Sequence, residues 1–288
     1  LSRGLGDVYK RQGSSSGAGR VCANSEKGTP VNIGDMSRDW KTSEATRDSN
    51  GYTMSCLKGD TSIKVNQIKV AVDGLSVVVK KGGAAESCVS GMGGLTVAQL
   101  RWIFADMTDA ELTTAGLDMA SVIPNSDNDD TTQKWSELDS TCPDSQIVLA
   151  YPDEESGTFE YFCEAILHEE CNFRTGTQSA DDNVLVNALT GDGGAIGYFG
   201  FAYYKANQDT LSAIGVADDE SLGITDTLAT AIIPDSVTVR DGSYSPLSRF
   251  LYMNINNDDW DLVRAFMTFA WSGPVSYTHL RAHETGSY

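Results

Sequence analysis

Apolar and polar positions divide the chain into alternating strand-like and helix-like stretches. Ile68 to Lys80, IKVAVDGLSVVVK, is apolar and β-branched on both sides of Asp73-Gly74, which predicts strands buried in a mainly parallel sheet. Thr96-Val97-Ala98-Gln99 has the pattern of a capping box, and Leu100, Ile103 and Phe104 then predict a helix from Val97 to Phe104 with one face in the core. Ser121 to Ser145 is polar around a single large anchor, Trp135, and reads as a surface insertion. Gln146 to Ala150 predicts a short buried strand, and the next helix starts at Ser156 with Phe159, Phe162, Cys163, Ile166 and Leu167 as its buried stripe. Asp181-Asp182-Asn183 caps a helix over Val184 to Leu189, and Gly194 to Phe201 reads as a strand leading into an aromatic-rich helix. Ala229 to Val239 and Phe250 to Ile255 contain strand-like runs, and Trp260 to Trp271 reads as a closing helix with Leu262, Phe266 and Phe269 on its apolar face. This alternation predicts an α/β fold.

Composition narrows the function. The 288 residues hold 40 acidic against 21 basic side chains, a formal net charge of −19, with 40% hydrophobic residues. Such a chain buries a real core, and its acidity argues against sequence-independent binding to nucleic acid or anionic lipid. No stretch approaches the roughly 18 apolar residues that span a bilayer. The six cysteines include no C-x-x-C pair, which favours disulfides over a metal site and an oxidising compartment over the cytosol. Pairing Cys22 with Cys56, Cys88 with Cys142 and Cys163 with Cys171 closes loops of modest length.

Both ends resemble translated sequencing-library adapters: DVYKRQ at Asp7 to Gln12 and VSYTHL at Val275 to Leu280. Residues 1–12 and 275–288 are therefore expected to carry no fold information, and a preceding segment with its signal peptide is expected to be missing. His279 and His283 fall away with them, leaving His168 as the only histidine, and 17 basic against 38 acidic residues.

Three features can meet on one anion: Ser14-Ser15-Ser16 in the small-residue loop Gly13 to Gly19, the Ser37-Arg38 pair, and the helix start at Ser156-Gly157-Thr158. A helix start offers unpaired amides, hydroxyls donate further bonds, and arginine supplies a planar charged fork. The enzymatic alternatives lack partners. HEECN has no second histidine for a zinc protease, GDGGAIG lacks the dinucleotide order, and Ser156 has no evident base.

As a set, VAVDGLSVVV at Val70 to Val79, LTVAQLRWIF at Leu95 to Phe104, ESGTFEYFCEAI at Glu155 to Ile166, DDNVLVNALTGDGGAIGYFGFAYY at Asp181 to Tyr204 and RDGSYSPLSR at Arg240 to Arg249 resemble PstS-type phosphate-binding proteins of bacterial uptake transporters. The resemblance implies a two-lobed type II periplasmic binding protein with hinge crossover strands that closes on a dehydrated phosphate. It places lobe one at 13–83 with 244–274 and lobe two at 84–243. It implies a monomeric, non-enzymatic receptor, periplasmic or at the extracellular surface, that needs no cofactor or metal and passes inorganic phosphate to a membrane ABC permease. By the same resemblance, Ser14 stands at the second-loop hydroxyl position, and Ser156, Gly157 and Thr158 stand at the helix-capping contacts. Ser15, Ser37 and Arg38 complete the candidate set.

The chain departs from the family in four places. The first phosphate loop would precede Gly13; Pro152 stands where many members have arginine; Arg38 stands where relatives place a proton-accepting aspartate; and Arg249-Phe250 replaces Arg-Pro, a change read as structural. Asp35 or Glu155 is the candidate acceptor that would separate monohydrogen phosphate from sulfate, since a buried carboxylate meets a donor in one and an unpaired oxygen in the other. A receptor for sulfate, molybdate or arsenate, or a phosphatase on the same scaffold, is the alternative reading.

Overall fold

The computed structural model describes residues 14–154, 156–168, 171–220, 226–270 and 272. In chain order its principal elements are α1 (Ser14–Val21), β1 (Ile33–Met36), β2 (Ala45–Arg47), β3 (Thr53–Cys56), β4 (Lys64–Lys80), α2 (Ala84–Met92), β5 (Leu95–Thr96) and α3 (Val97–Phe104). There follow β6 (Val148–Tyr151), α4 (Gly157–Phe162), β7 (Thr177–Gln178), α5 (Asp182–Gly191), β8 (Ala195–Gly200), α6 (Phe201–Ala206), β9 (Leu211–Ala213), β10 (Val216–Ala217), β11 (Ser248–Asn256) and α7 (Trp260–Ala270). The fold is mixed α/β and divides into two compact units. One holds the described residues up to Val72 with those from Phe250 onward, and the other holds Asp73–Arg249.

In the first unit, β1 pairs antiparallel with β11 and β3 pairs antiparallel with both β2 and β4. The expected loop at Gly13 to Gly19 is instead helix α1, with Gly13 itself outside the described residues. Its glycines do not supply turn freedom. A Cβ on Gly17 would stand 2.1 Å from the Asp35 carbonyl oxygen, and one on Gly34 would stand 2.3 Å from that of Gly17. Glycine here lets helix and strand backbones touch. Ala18, Val21 and Cys22 face the core of this unit, and Cys22 is bonded to Cys56.

In the second unit, β8 and β9 pair antiparallel with β4, while β6 runs parallel to β7 and β8. The mainly parallel expectation for 68–80 is therefore corrected, and the strand passes through Asp73-Gly74 without a turn. Gly74 is a close-packing glycine, since a Cβ there would meet Val239 at 2.8 Å. Helix α3 is found with its capping box: Thr96 Oγ1 accepts from the Gln99 amide at 3.1 Å and Gln99 Oε1 accepts from the Thr96 amide at 3.0 Å. The insertion is anchored by Trp135, fully buried, whose Nε1 donates to the Gly194 carbonyl at 2.8 Å. Cys88 is joined to Cys142 and Cys163 to Cys171, as the loop lengths indicate.

Two further expectations are corrected. Ala229 to Val239 holds a single β-bridge at Ile232 instead of a strand; Pro234 interrupts the run, and Asp235 caps a helical turn over Thr238–Asp241 by accepting from the Val237 and Thr238 amides. Helix α7 is present but buries Val263 and Met267, leaving Leu262, Phe266 and Phe269 at 70%, 52% and 64% exposure. Both sets recur at helical spacing, so periodicity alone does not choose between them.

Candidate functional site

The first unit gathers Ser14, Ser15, Ser37 and Arg38. Ser14 opens α1 and is 3% exposed; its Oγ accepts from the Ser37 amide at 2.9 Å and lies 3.1 Å from Ser37 Oγ. Arg38 reaches back to the same helix, donating from Nη2 to Ser15 Oγ at 2.9 Å. Its fork also binds Glu44 in bidentate fashion, both contacts at 2.9 Å, with both side chains largely buried. Hence a charge read from sequence as anion-directed is already neutralised within its own unit. A cleft of about 200 Å³ beside this group is lined by Ser15, Trp40, Glu44 and the cations Lys27, Lys41 and Lys58. Asp35 lies on β1 with its edge in solvent, and desolvation raises its carboxyl above the usual range.

Glu44 supplies a pH prediction. Burial pushes its carboxyl up, but hydrogen bonds from Arg38 and the Lys41 amide, with their charges, outweigh burial and hold it below its ordinary 4.5. A carboxylate depressed on folding contributes stability above its unfolded value and loses it as pH falls through the folded one. The stability difference between wild type and Glu44→Gln, measured by urea unfolding, is expected to be full at pH 7 and to shrink below about pH 4.5. A difference independent of pH would mean that the charge of Glu44 does not stabilise the fold.

The second unit presents the helix start. Ser156 is the cap residue of α4: its Oγ accepts from the Thr158 amide at 3.1 Å and its carbonyl accepts from the Glu160 amide. A Cβ on Gly157 would meet nothing within 4 Å, so the backbone of this turn is open to approach. The helix continues as a π-turn over Cys163–Leu167, and Phe159, Phe162, Cys163, Ile166 and Leu167 are all buried, as the stripe predicts. Glu155 lies outside the described residues. Nearby Asp153 has a buried Oδ1 with no hydrogen-bond partner among the described residues, which makes it a further carboxylate at this turn.

Sequence reasoning missed Arg249. It is 9% exposed, donates from Nη1 to the Gly157 carbonyl at 3.0 Å, and grips Asp73 Oδ2 from Nε and Nη2 at 3.1 and 2.9 Å. The available signal was a lone arginine opening an otherwise strand-like run, RFLYMNI. His168 is exposed and its Nε2 lies 2.5 Å from Glu220. Among the described residues no group of three His, Cys, Asp or Glu side chains could hold a metal ion.

A family model described as a PBP superfamily domain matches residues 8–273. The protein SphX of Synechococcus elongatus is 30% identical over 259 residues, 89% of this chain and 62% of that protein. The phosphate-binding protein PstS of Staphylococcus haemolyticus is 30% identical over 138 residues, 47% of this chain and 40% of its own. The chain thus spans less than two thirds of the length of these curated relatives. Among solved structures, a possible phosphate binding protein from Planctomyces limnophilus superimposes with a TM-score of 0.61 at 25% identity, covering 88% of this chain and 74% of that one. An ABC-type phosphate transport receptor from Vibrio cholerae gives 0.58 at 16% identity, covering 92% and 82%, and shares the fold. With nearly its whole described length matched by that family model and the same mixed architecture in these structures, the chain belongs to the PBP superfamily.

Proposed function

We propose that this protein is a non-enzymatic receptor, acting as a monomer in the periplasm or at the extracellular surface, that captures inorganic phosphate and delivers it to a membrane ABC permease. The observation that carries the reading is the Ser156-Gly157-Thr158 helix start: capped, open at Gly157, and backed by the buried cation Arg249. Such a turn offers backbone amides and a positive dipole end to an oxyanion. In the first unit Ser14, Ser15 and Ser37 are candidate phosphate contacts, and Arg38 would have to exchange its Glu44 pairing to join them. Asp35, Asp153 and Glu155 are the candidate proton acceptors. The names of the PstS relatives support phosphate as the ion. Turnover of a phosphate ester is disfavoured because Ser156 serves as a cap and the single histidine of the described residues is engaged with Glu220.

The test is a thermal melt of the full chain with phosphate, with sulfate and with neither. A ligand that binds only the folded state stabilises it by about 2.7 kcal/mol at 100 times its Kd, so phosphate alone should raise the midpoint. Ser156→Asp keeps a good cap but places a negative charge where the anion would sit. It is expected to melt like wild type without ligand and to lose the phosphate shift. A cooperative wild-type melt unmoved by phosphate would end this reading, and a shift with sulfate instead would reassign the ion.

A further inference from the structure

Arg249 is held on three sides inside the second unit. Asp73 accepts from Nε and Nη2 along one edge, the Gly157 carbonyl accepts from Nη1, and the guanidinium carbon stands 4.5 Å from the centre of the Tyr161 ring. That ring is itself tethered, since the Tyr161 hydroxyl donates to the Pro246 carbonyl with the Ser248 carbonyl 3.0 Å away. Asp73 lies on β4 and Arg249 on β11, the two strands through which the chain passes from one unit into the other. Meanwhile Gly157 has no side chain and no neighbour where a Cβ would be. Glycine is the residue least able to hold its own backbone conformation. An anion site made of backbone amides works only if those amides are fixed before the ligand arrives.

We propose that Arg249 is a positioning residue for the anion-binding turn: anchored by Asp73 and stacked on Tyr161, it braces the Gly157 carbonyl so that the capped turn keeps its orientation toward the ligand. This rests on the reading of Ser156-Gly157-Thr158 as an oxyanion site. It assigns the work of orientation to a residue distant in sequence, on a chain whose Pro152 supplies no guanidinium beside the turn. Lysine cannot replace it fully, because an ammonium is a point charge that cannot span Asp73 and Gly157 with one planar fork.

Hydrogen exchange and calorimetry on the full chain test the assignment together. In Arg249→Gln, exchange of the amides of residues 158–160 without ligand is expected to rise at least tenfold while that of α5 stays as in wild type. Phosphate Kd should weaken at least tenfold, and Arg249→Lys should fall between the two in both measurements. Should Arg249→Gln fail to fold, Arg249→Lys and Asp73→Asn carry the same comparison. A folded variant with unchanged exchange at 158–160 overturns the brace. So does a uniform rise across the unit, or a local rise with unchanged phosphate affinity. If wild type itself binds no phosphate, the phosphate reading fails, and the ligand-free exchange still decides whether Arg249 orders the turn.

Discussion

Replacing Cys88 and Cys142 together by serine is expected to lower the free energy of unfolding by about 4 kcal/mol, the largest effect among the three disulfides. The bridge joins α2 to the end of the polar insertion across a sequence separation of 54 residues. Without it the unfolded chain regains the entropy of a long open loop, and that gain grows with the logarithm of loop length. Cys22–Cys56 closes 34 residues and Cys163–Cys171 only 8, so the same substitution at the shortest bridge should cost about 2.5 kcal/mol. Urea unfolding without reductant measures all three, and the order of the losses is the sharper check. If the Cys88/Cys142 variant lost less than the Cys163/Cys171 variant, something other than loop closure would govern what these bridges contribute.

Phe162→Ala is expected to cost about 3–5 kcal/mol, as for a large aromatic removed from a packed core. Phe162 is fully buried, stacks on Tyr198 with ring centres 3.8 Å apart and 5° between planes, and meets Phe104 edge-on at 4.9 Å. Tyr151 and Phe173 extend the same cluster. Removing this ring withdraws the support on which the helix carrying Ser156 rests, so the near-ultraviolet circular dichroism of the folded variant should fall as well. Equilibrium unfolding that placed the loss below about 2 kcal/mol would mean that the neighbouring rings collapse into the space.

What could be read directly from the chain was what depends on local spacing. The capping box at Thr96 and the stripe from Phe159 to Leu167 are set by residues close in sequence, Trp135 stood out as the one large side chain of a polar stretch, and loop length favoured the disulfide scheme that is found. Readings failed where a tertiary contact overrode a local habit. Gly17 and Gly74 have the look of turn residues, yet each sits where another part of the chain presses against the backbone. Helix α7 carries two apolar stripes, and only packing shows that Val263 and Met267 are the buried pair. The candidate site divides in the same way. Ser156, Gly157 and Thr158 were visible as a cap, whereas Arg249 meets Gly157 across 92 residues of sequence and Asp73 across 176. The engagement of Arg38 with Glu44 was equally hidden, because nothing in a six-residue spacing distinguishes an ion pair from two independent surface charges.

The abutment of Gly17 against Gly34 has a consequence for anyone who wishes to alter the geometry around Ser14 and Ser37. These two positions act as a spacer of zero thickness, setting how far the start of α1 stands from the turn that bears Ser37. A single methyl group at either one would wedge the two backbones apart, because neither contact leaves the roughly 3 Å that a Cβ requires. The Ser14–Ser37 hydrogen bonds would lengthen although neither serine had been touched. Selections that randomise only polar residues would therefore miss an effective control on the spacing of Ser14 and Ser37, one that works by thickness and carries no charge or hydrogen bond of its own.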